Sequence, residues 1–314
     1  MTFFKSMPQV AILGARGIGQ VHARLFQKSG ANICAILGST MQTTQQAGNL
    51  LHQSMGISPK PFDNLETLIR ETRPDALSIC TPAECHFKQI LTAFEQRLPV
   101  FCEKPLFWGK DLTPETLETQ ISLLSKHQGR SLALNTCNAY FMERALEETG
   151  RPSTIKYFSF KFYTQGPHQG KNIAVDLLPH GFSLLITLLG YKKIMGVLQK
   201  MTPNSYQCQF NYGECNVSFD FREKKDGVKH LAFSINDREF TRGQEGQGKT
   251  YRVYLKDLLT GMEIKTKDPF QVYISRFLSG LNSDNSSAVN TFTEGVANLR
   301  MMSQVYFGDF NESH

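Results

Sequence analysis

The sequence predicts two units of different texture. Residues 1–135 read as an α/β unit with a parallel sheet, and residues 136–314 as an α+β unit with a largely antiparallel sheet. Three observations carry this. Short apolar runs alternate with helical periodicity as far as Asn135. A glycine-rich turn joins the first run to the first helix. Beyond about Gly150, strand-like segments follow one another across hairpin turns, with few helices between them.

The first element is Val10-Ala11-Ile12-Leu13, which reads as a buried strand. A turn with Gly14, Gly17 and Gly19 follows. A helix then begins near Ile18 and carries Val21, Ala23, Leu25 and Phe26 at helical spacing. Strand, glycine turn and helix in this order aim backbone N–H groups and the positive end of the helix dipole at an anion. This is the Rossmann arrangement for a dinucleotide pyrophosphate. In the pattern G-x-G-x-x-G, Arg16 occupies the middle glycine position, where the backbone normally approaches the phosphates. Gly17 beside it restores some freedom. An ordinary βα turn is the competing reading.

The second strand, Ala31 to Leu37, ends at Gly38-Ser39-Thr40. NAD-binding folds usually place an acid here, on the ribose 2′-OH. None is present. Ser39 and Thr40 can hydrogen-bond a 2′-phosphate, and Arg16 can add charge, so NADP is expected over NAD. The same two residues also read as a helix cap. Leu65, Leu68 and Ile69 mark a further helix. Ala76 to Cys80 is a strand closed by Thr81-Pro82, and His86 to Phe94 a helix. Val100 to Cys102 is a strand closed by Glu103-Lys104-Pro105-Leu106. A helix from Pro114 to His127 and a strand from Ser131 to Asn135 complete the alternation. In such sheets ligands bind at the carboxyl ends of the strands, where Thr81-Pro82, Glu103-Lys104 and Asn135 all lie.

In the second unit the expected strands are 155–163, 195–201, 206–211, 215–221, 231–236 and 250–255. One helix interrupts at about 174–189, and two follow at 270–281 and 293–305. The tail from Gly308 is expected to fray. In Val217-Ser218-Phe219-Asp220-Phe221 alternate residues are large and apolar, so this sheet is expected to leave one apolar face open. A homodimer or homotetramer paired through that sheet is the expectation.

Composition narrows the classes. The 314 residues suit two domains, and 40% apolar content supplies a core. The formal net charge of +6 is spread among interspersed signs, which argues against a nucleic-acid stripe. Seven cysteines without CxxC spacing suggest a reduced protein, with neither a disulfide framework nor a zinc site. No signal-like segment precedes the first strand, and no run of 18 apolar residues occurs, so a soluble cytoplasmic protein is expected.

Several residues could carry chemistry. Lys104, at a strand end, can hydrogen-bond a substrate oxygen and supply positive charge, with Pro105 fixing the backbone after it. A surface Lys–Glu loop is the alternative. Asp176 and His180 are spaced i, i+4 and share a helix face. Histidine suits acid–base work near neutrality. Pro179 lies between them, so the helix is expected to begin near it, with Asp176 in a preceding turn. His168 sits in a Gly- and Pro-containing loop that could approach a cleft. His22 reads as helix packing, and Cys102 as a strand residue rather than a nucleophile.

Four pieces occur together: GARGIGQVHA from Gly14, Thr81-Pro82 with His86, Cys102-Glu103-Lys104-Pro105-Leu106, and Asp176-Leu177-Leu178-Pro179-His180. In order and separation the chain resembles the Gfo/Idh/MocA family of NAD(P)-dependent oxidoreductases along nearly its whole length. The resemblance implies Lys104 and His180 as a catalytic pair and Asp176 on the substrate. It implies Gly14, Arg16, Gly17, Ile18 and Gly19 at the phosphates, and Thr81, Pro82, His86, Glu103 and Lys104 along the cofactor. Three departures stand out: Arg16 for a glycine, Ser183 where many members carry a second aspartate, and no arginine clearly placed after Asn135 at the position where many sugar-oxidising members carry one. The implied activity is hydride transfer between a nicotinamide and a small sugar- or polyol-like carbonyl or alcohol, or an imine. The alternative within the family is a non-catalytic dinucleotide-binding sensor, which has no need of Lys104 and His180.

Overall fold

The computed structural model describes residues 7–127, 129, 131–246, 250–281 and 291–308. The chain forms two compact units, Met1–Asn135 with Phe270–Val296, and Thr136–Pro269 with Ala297–His314.

The first unit is built on six parallel strands: β1 (Gln9–Leu13), β2 (Asn32–Leu37), β3 (Lys60–Phe62), β4 (Ala76–Ile79), β5 (Val100–Glu103) and β6 (Leu132–Asn135). Their order is β3-β2-β1-β4-β5-β6. Helices α1 (Ile18–Lys28), α2 (Met41–Met55), α3 (Leu65–Thr72), α4 (Ala83–Glu95) and α5 (Pro114–Ser125) connect them. Helices on both faces explain why β1, β4, β5 and β6 read as continuous apolar runs rather than alternating ones. The order reverses between β1 and β4, which opens a crevice at their carboxyl ends.

The segment Phe270–Val296 packs with this unit, although the sequence texture had placed all of 136–314 in the other. Ile274, Phe277 and Leu278 join the core around Phe26 and Phe101. The Phe277 ring centroid lies 6.2 Å from that of Phe26 and 5.4 Å from that of Phe101. These three residues repeat at the spacing of one helix face, a pattern that shows a buried helix but not which core it enters.

In the second unit, helix α6 (Ala139–Thr149) precedes β7 (Tyr157–Thr164) and α7 (Lys171–Leu189). Then come β8 (Ile194–Thr202), β9 (Ser205–Tyr212), β10 (Cys215–Glu223), β11 (His230–Ile235), β12 (Arg238–Glu245), β13 (Arg252–Asp257) and β14 (Glu263–Lys265). Two helices end the chain's order, α8 (Pro269–Leu281) and α9 (Phe292–Phe307). The sheet runs β14-β13-β12-β11-β7-β10-β9-β8 and is antiparallel except for β7 beside β10. Sequence periodicity had not shown α6, β12 or β14; the last is three residues long, below what alternation can reveal. The expected fraying from Gly308 falls almost wholly outside the described residues.

The apolar stripe on β10 is not an open face. Register aligns Val217, Phe219 and Phe221 with Phe158, Phe160 and Phe162 of β7, and α7 covers them. The Phe182 ring lies 5.7 Å from Phe219, and a Cβ on Gly181 would come within 2.7 Å of that ring. The opposite side of β10 carries polar pairs. Tyr163 Oη donates to Asp220 Oδ2 at 2.5 Å, and Arg222 Nη2 donates to the same atom at 2.9 Å. Alternation marks which side of a strand is apolar, and that is the side a helix is recruited to cover.

Helix α7 begins at Lys171, not near Pro179, and runs through the proline. Losing one N–H and clashing with the preceding turn costs about 3 kcal/mol. Leu177, Leu178, Phe182, Leu184 and Leu185 are all at most 1% exposed. Each contributes roughly 1.5–3 kcal/mol of burial, so packing outweighs the break. Among the described residues α7 is the helix long and apolar enough to cross a membrane, but its side chains are mostly buried in this unit. All seven cysteines are free thiols.

Candidate functional site

The glycine turn shows a separate requirement at each glycine. Gly14 has φ +86°, and a Cβ there would lie 2.7 Å from the Cys80 carbonyl oxygen, so β1 and β4 can approach only with glycine. A Cβ on Gly19 would fall 1.9 Å from the Gly14 oxygen, which fixes α1 tightly against the turn. Gly17 precedes α1 with φ 52° and ψ −112° and faces open space. The positive φ before α1 thus falls on Gly17 and not on Arg16, which keeps an arginine backbone out of that region. The Ile18 side chain packs on the core, leaving its backbone as the part that can face a phosphate.

This turn borders a cavity of about 420 Å³ in the first unit. Arg16, Ser39, Thr43, Thr81 and Pro82 line it together with Gly14, and no lining residue is acidic. Arg16 crosses toward α2, its Nη2 donating to Gln46 Oε1 at 3.1 Å. Thr40 does not line the cavity. It is the N-cap of α2, its Oγ1 accepting from the Thr43 amide at 3.2 Å. Thr43 takes its place on the wall, a residue the sequence reading missed. The cap at Thr40 was the available signal, because it puts position 43 in the first turn beside Ser39.

His86 does not line the cavity either. It is 1% exposed, with Nε2 2.8 Å from the Thr81 oxygen and Nδ1 2.9 Å from the Pro105 oxygen. It therefore braces the ends of β4 and β5 against each other. Burial holds its pKa below the usual histidine value, against hydrogen bonds to those carbonyls. Thr81 has its own partner, donating from Oγ1 to Gln89 Oε1 at 2.6 Å.

Glu103 is also committed within the fold. Its Oε1 accepts from His22 Nε2 at 2.8 Å and from Asn135 Nδ2 at 2.5 Å. His22 Nδ1 lies 2.9 Å from Ser78 Oγ and 3.1 Å from Cys80 Sγ. One buried network thus ties α1, β4, β5 and β6 together beside Lys104, and His22, expected only to pack, is its centre. Burial disfavours the imidazolium, but Cys80 and Glu103 outweigh it and raise the His22 pKa to about 10. Burial likewise opposes ionisation of Glu103, and the His22 contact overcomes it, so the carboxyl pKa is lowered. Lys104 itself is half-buried and enters the cis peptide bond to Pro105.

In the second unit, Asp176 and His180 lie one helical turn apart on α7. Asp176 is half-buried, and His180 is 8% exposed. The His180 ring stands edge-on to Phe162, with centroids 5.2 Å apart at 90°. Ser183, in the place of a second acid, turns its hydroxyl back to the His180 carbonyl at 2.8 Å. His168 is drawn into this neighbourhood, its Nδ1 3.1 Å from Glu223 Oε2 and 4.0 Å from Asp176 Oδ2. Glu223 was not singled out from the sequence. Its position on β10, two residues beyond Phe221, put it on the buried face and was the signal. Burial, reinforced by Asp176 and opposed by His168, raises its pKa.

Residues 9–135 match the model of an oxidoreductase family with an NAD-binding Rossmann fold, Gfo/Idh/MocA. Over these residues the chain is similar to the Gfo/Idh/MocA oxidoreductases. An inositol 2-dehydrogenase of Rubrobacter xylanophilus is 29% identical over 116 residues, 36% of this chain and 32% of that protein. A D-glucoside 3-dehydrogenase of Escherichia coli is 28% identical over 207 residues, 60% of this chain and 56% of that protein. The chain thus matches between about a third and somewhat over half of the length of these two relatives. A dehydrogenase of Thermus thermophilus, solved with NAD and UDP-GlcNAcA, has the same fold. The TM-score is 0.70 at 17% identity, over 98% of this chain and 97% of that one.

Proposed function

We propose that the protein is an NADP(H)-dependent oxidoreductase acting on a small sugar- or polyol-like carbonyl or alcohol, with an imine as the variant substrate class. The observation that carries this is Lys104 at the carboxyl end of β5, in the same unit as a glycine turn that opens on an acid-free cavity. The turn fits a dinucleotide: the space in front of Gly17 is empty, and the α1 N-terminus borders it. When bound, the nicotinamide accepts or donates the hydride. Arg16, Ser39 and Thr43 are assigned to the adenosine ribose and its 2′-phosphate. The His22–Glu103–Asn135 network holds the Lys104 segment in place. Lys104 stabilises the substrate oxygen, Asp176 binds substrate hydroxyls, and His180 carries the proton.

The test is a panel of polyols, sugars and their keto forms, assayed with both cofactors through the absorbance of the reduced nicotinamide. Once a substrate is found, Lys104→Ala is expected to lower kcat by roughly 100- to 10,000-fold. Normal turnover by that variant would refute the assignment. Tight NADP(H) binding with no turnover across the panel would favour a sensor.

We also propose self-association through the uncovered face of the eight-stranded sheet. Tyr157 and Leu198 are 59% and 48% exposed there, among Ser159, Asn211 and Ser218. Sedimentation showing only monomer at micromolar concentration would remove this reading. Seven free thiols support a reducing, cytoplasmic location.

A further inference from the structure

We propose that His168, Asp176 and Glu223 form a divalent-cation site of the Zn2+ type. The three residues come from the loop before α7, from α7 itself and from the last position of β10. Each offers one donor atom, and all three donors lie within 4.8 Å of one another. His168 Nδ1 is 3.1 Å from Glu223 Oε2 and 4.0 Å from Asp176 Oδ2. Donors bound to one zinc at about 2.0–2.2 Å stand roughly 3–3.6 Å apart, so closing around an ion needs only small side-chain movements.

A second observation points to a ligand. The Glu223 side chain is fully buried, and its Oε1 has no hydrogen-bond partner among the described residues. A buried carboxylate with vacant lone pairs, beside a second carboxylate, calls for a cation. The surrounding loop is shaped to this carboxylate. The His168 amide donates to Glu223 Oε2 at 2.9 Å, and a Cβ on Gly166 would fall 2.0 Å from the same oxygen. Cysteine spacing could not reveal this site, because its ligands are imidazole and carboxylates from distant segments.

Three protein ligands leave a position open, as at catalytic rather than structural zinc. Asp176 is also the residue assigned to the substrate, so the ion would take a substrate hydroxyl or carbonyl oxygen as its further ligand. That last step rests on the oxidoreductase reading; the ion site does not.

The experiment is calorimetric titration of zinc chloride into tag-free, chelator-treated full-length protein, without nicotinamide or substrate. One saturable ion per chain is expected. Glu223→Gln and His168→Ala are each expected to weaken binding by on the order of 10- to 100-fold. His168 is 43% exposed, so its variant tests the site even if the Glu223 variant does not fold. Zinc-soaked crystals should show anomalous density at His168 Nδ1. Absence of saturable binding, or binding unchanged in both variants, would overturn the proposal and mean that a shared proton neutralises the carboxylates. Zinc binding without turnover on any substrate would leave the site standing and remove the oxidoreductase reading.

Discussion

Glu103 has its carboxylate spoken for by His22 and Asn135 before any ligand arrives. Removing one member of a buried charged pair typically costs about 3–5 kcal/mol, and His22→Ala should lower unfolding stability by that order in denaturant titrations. The pH dependence follows from its raised pKa of about 10. The unfolded value is about 6.5, so the stabilisation is complete below that pH and fades as pH rises through about 10. Melting temperatures measured across that range should fall in the native protein and change less in His22→Ala. Asp257 shows the opposite sign. Arg238, against the cost of burial, holds its pKa at about 2, so its contribution is present above about 4 and is lost as acid approaches 2. At the cavity, Arg16→Ala should erode most of an NADPH-over-NADH preference of at least about tenfold, read by calorimetry with both cofactors. Equal affinities in the native protein would mean that Arg16 serves only Gln46. The positions of the glycine turn and of Lys104 were legible from the sequence because both follow from local backbone and strand order. The partners of His22 and Glu223 were not, because each lies far along the chain, and the place of Thr43 on the cavity wall depends on how α2 starts at its Thr40 cap.

At the scale of elements, legibility followed burial. Strands β1, β4, β5 and β6 are apolar on both sides and could be read as unbroken runs. Alternation in β10 showed an apolar side but not that α7 covers it, and Pro179 suggested a break where packing keeps the helix whole. The close fit between α7 and β10 has a measurable consequence. Gly181→Ala pushes a methyl group toward the Phe219 ring, 2.7 Å from the nearest atom. Overpacking of this kind costs about 1–3 kcal/mol. Thermal unfolding should show that loss, with cofactor affinity unchanged because the substitution lies outside the nucleotide-binding unit. An unchanged melting temperature would show that the Phe219 ring can move aside.

For the molecule as a whole, the two fold classes could be read in order, whereas the return of α8 to the first unit could not. A helix face of Ile274, Phe277 and Leu278 fits any apolar core, and only the three-dimensional arrangement selects one. A chain ended after Asn135 should therefore be poorly soluble or show exchange-labile amides around Phe26 and Phe101, whose ring partner Phe277 is missing. Adding the α8 segment as a separate peptide should restore protection. The same feature sets a timetable on the ribosome. Most of the nucleotide-binding unit is made before the other unit begins, yet it stays incomplete until Thr136–Pro269 has been translated and α8 emerges. At about 5–20 residues per second, the half-built core waits on the order of ten seconds with an aromatic surface uncovered. During synthesis, that interval is when this protein should depend most on chaperones, and slowing translation within 136–269 should lengthen it.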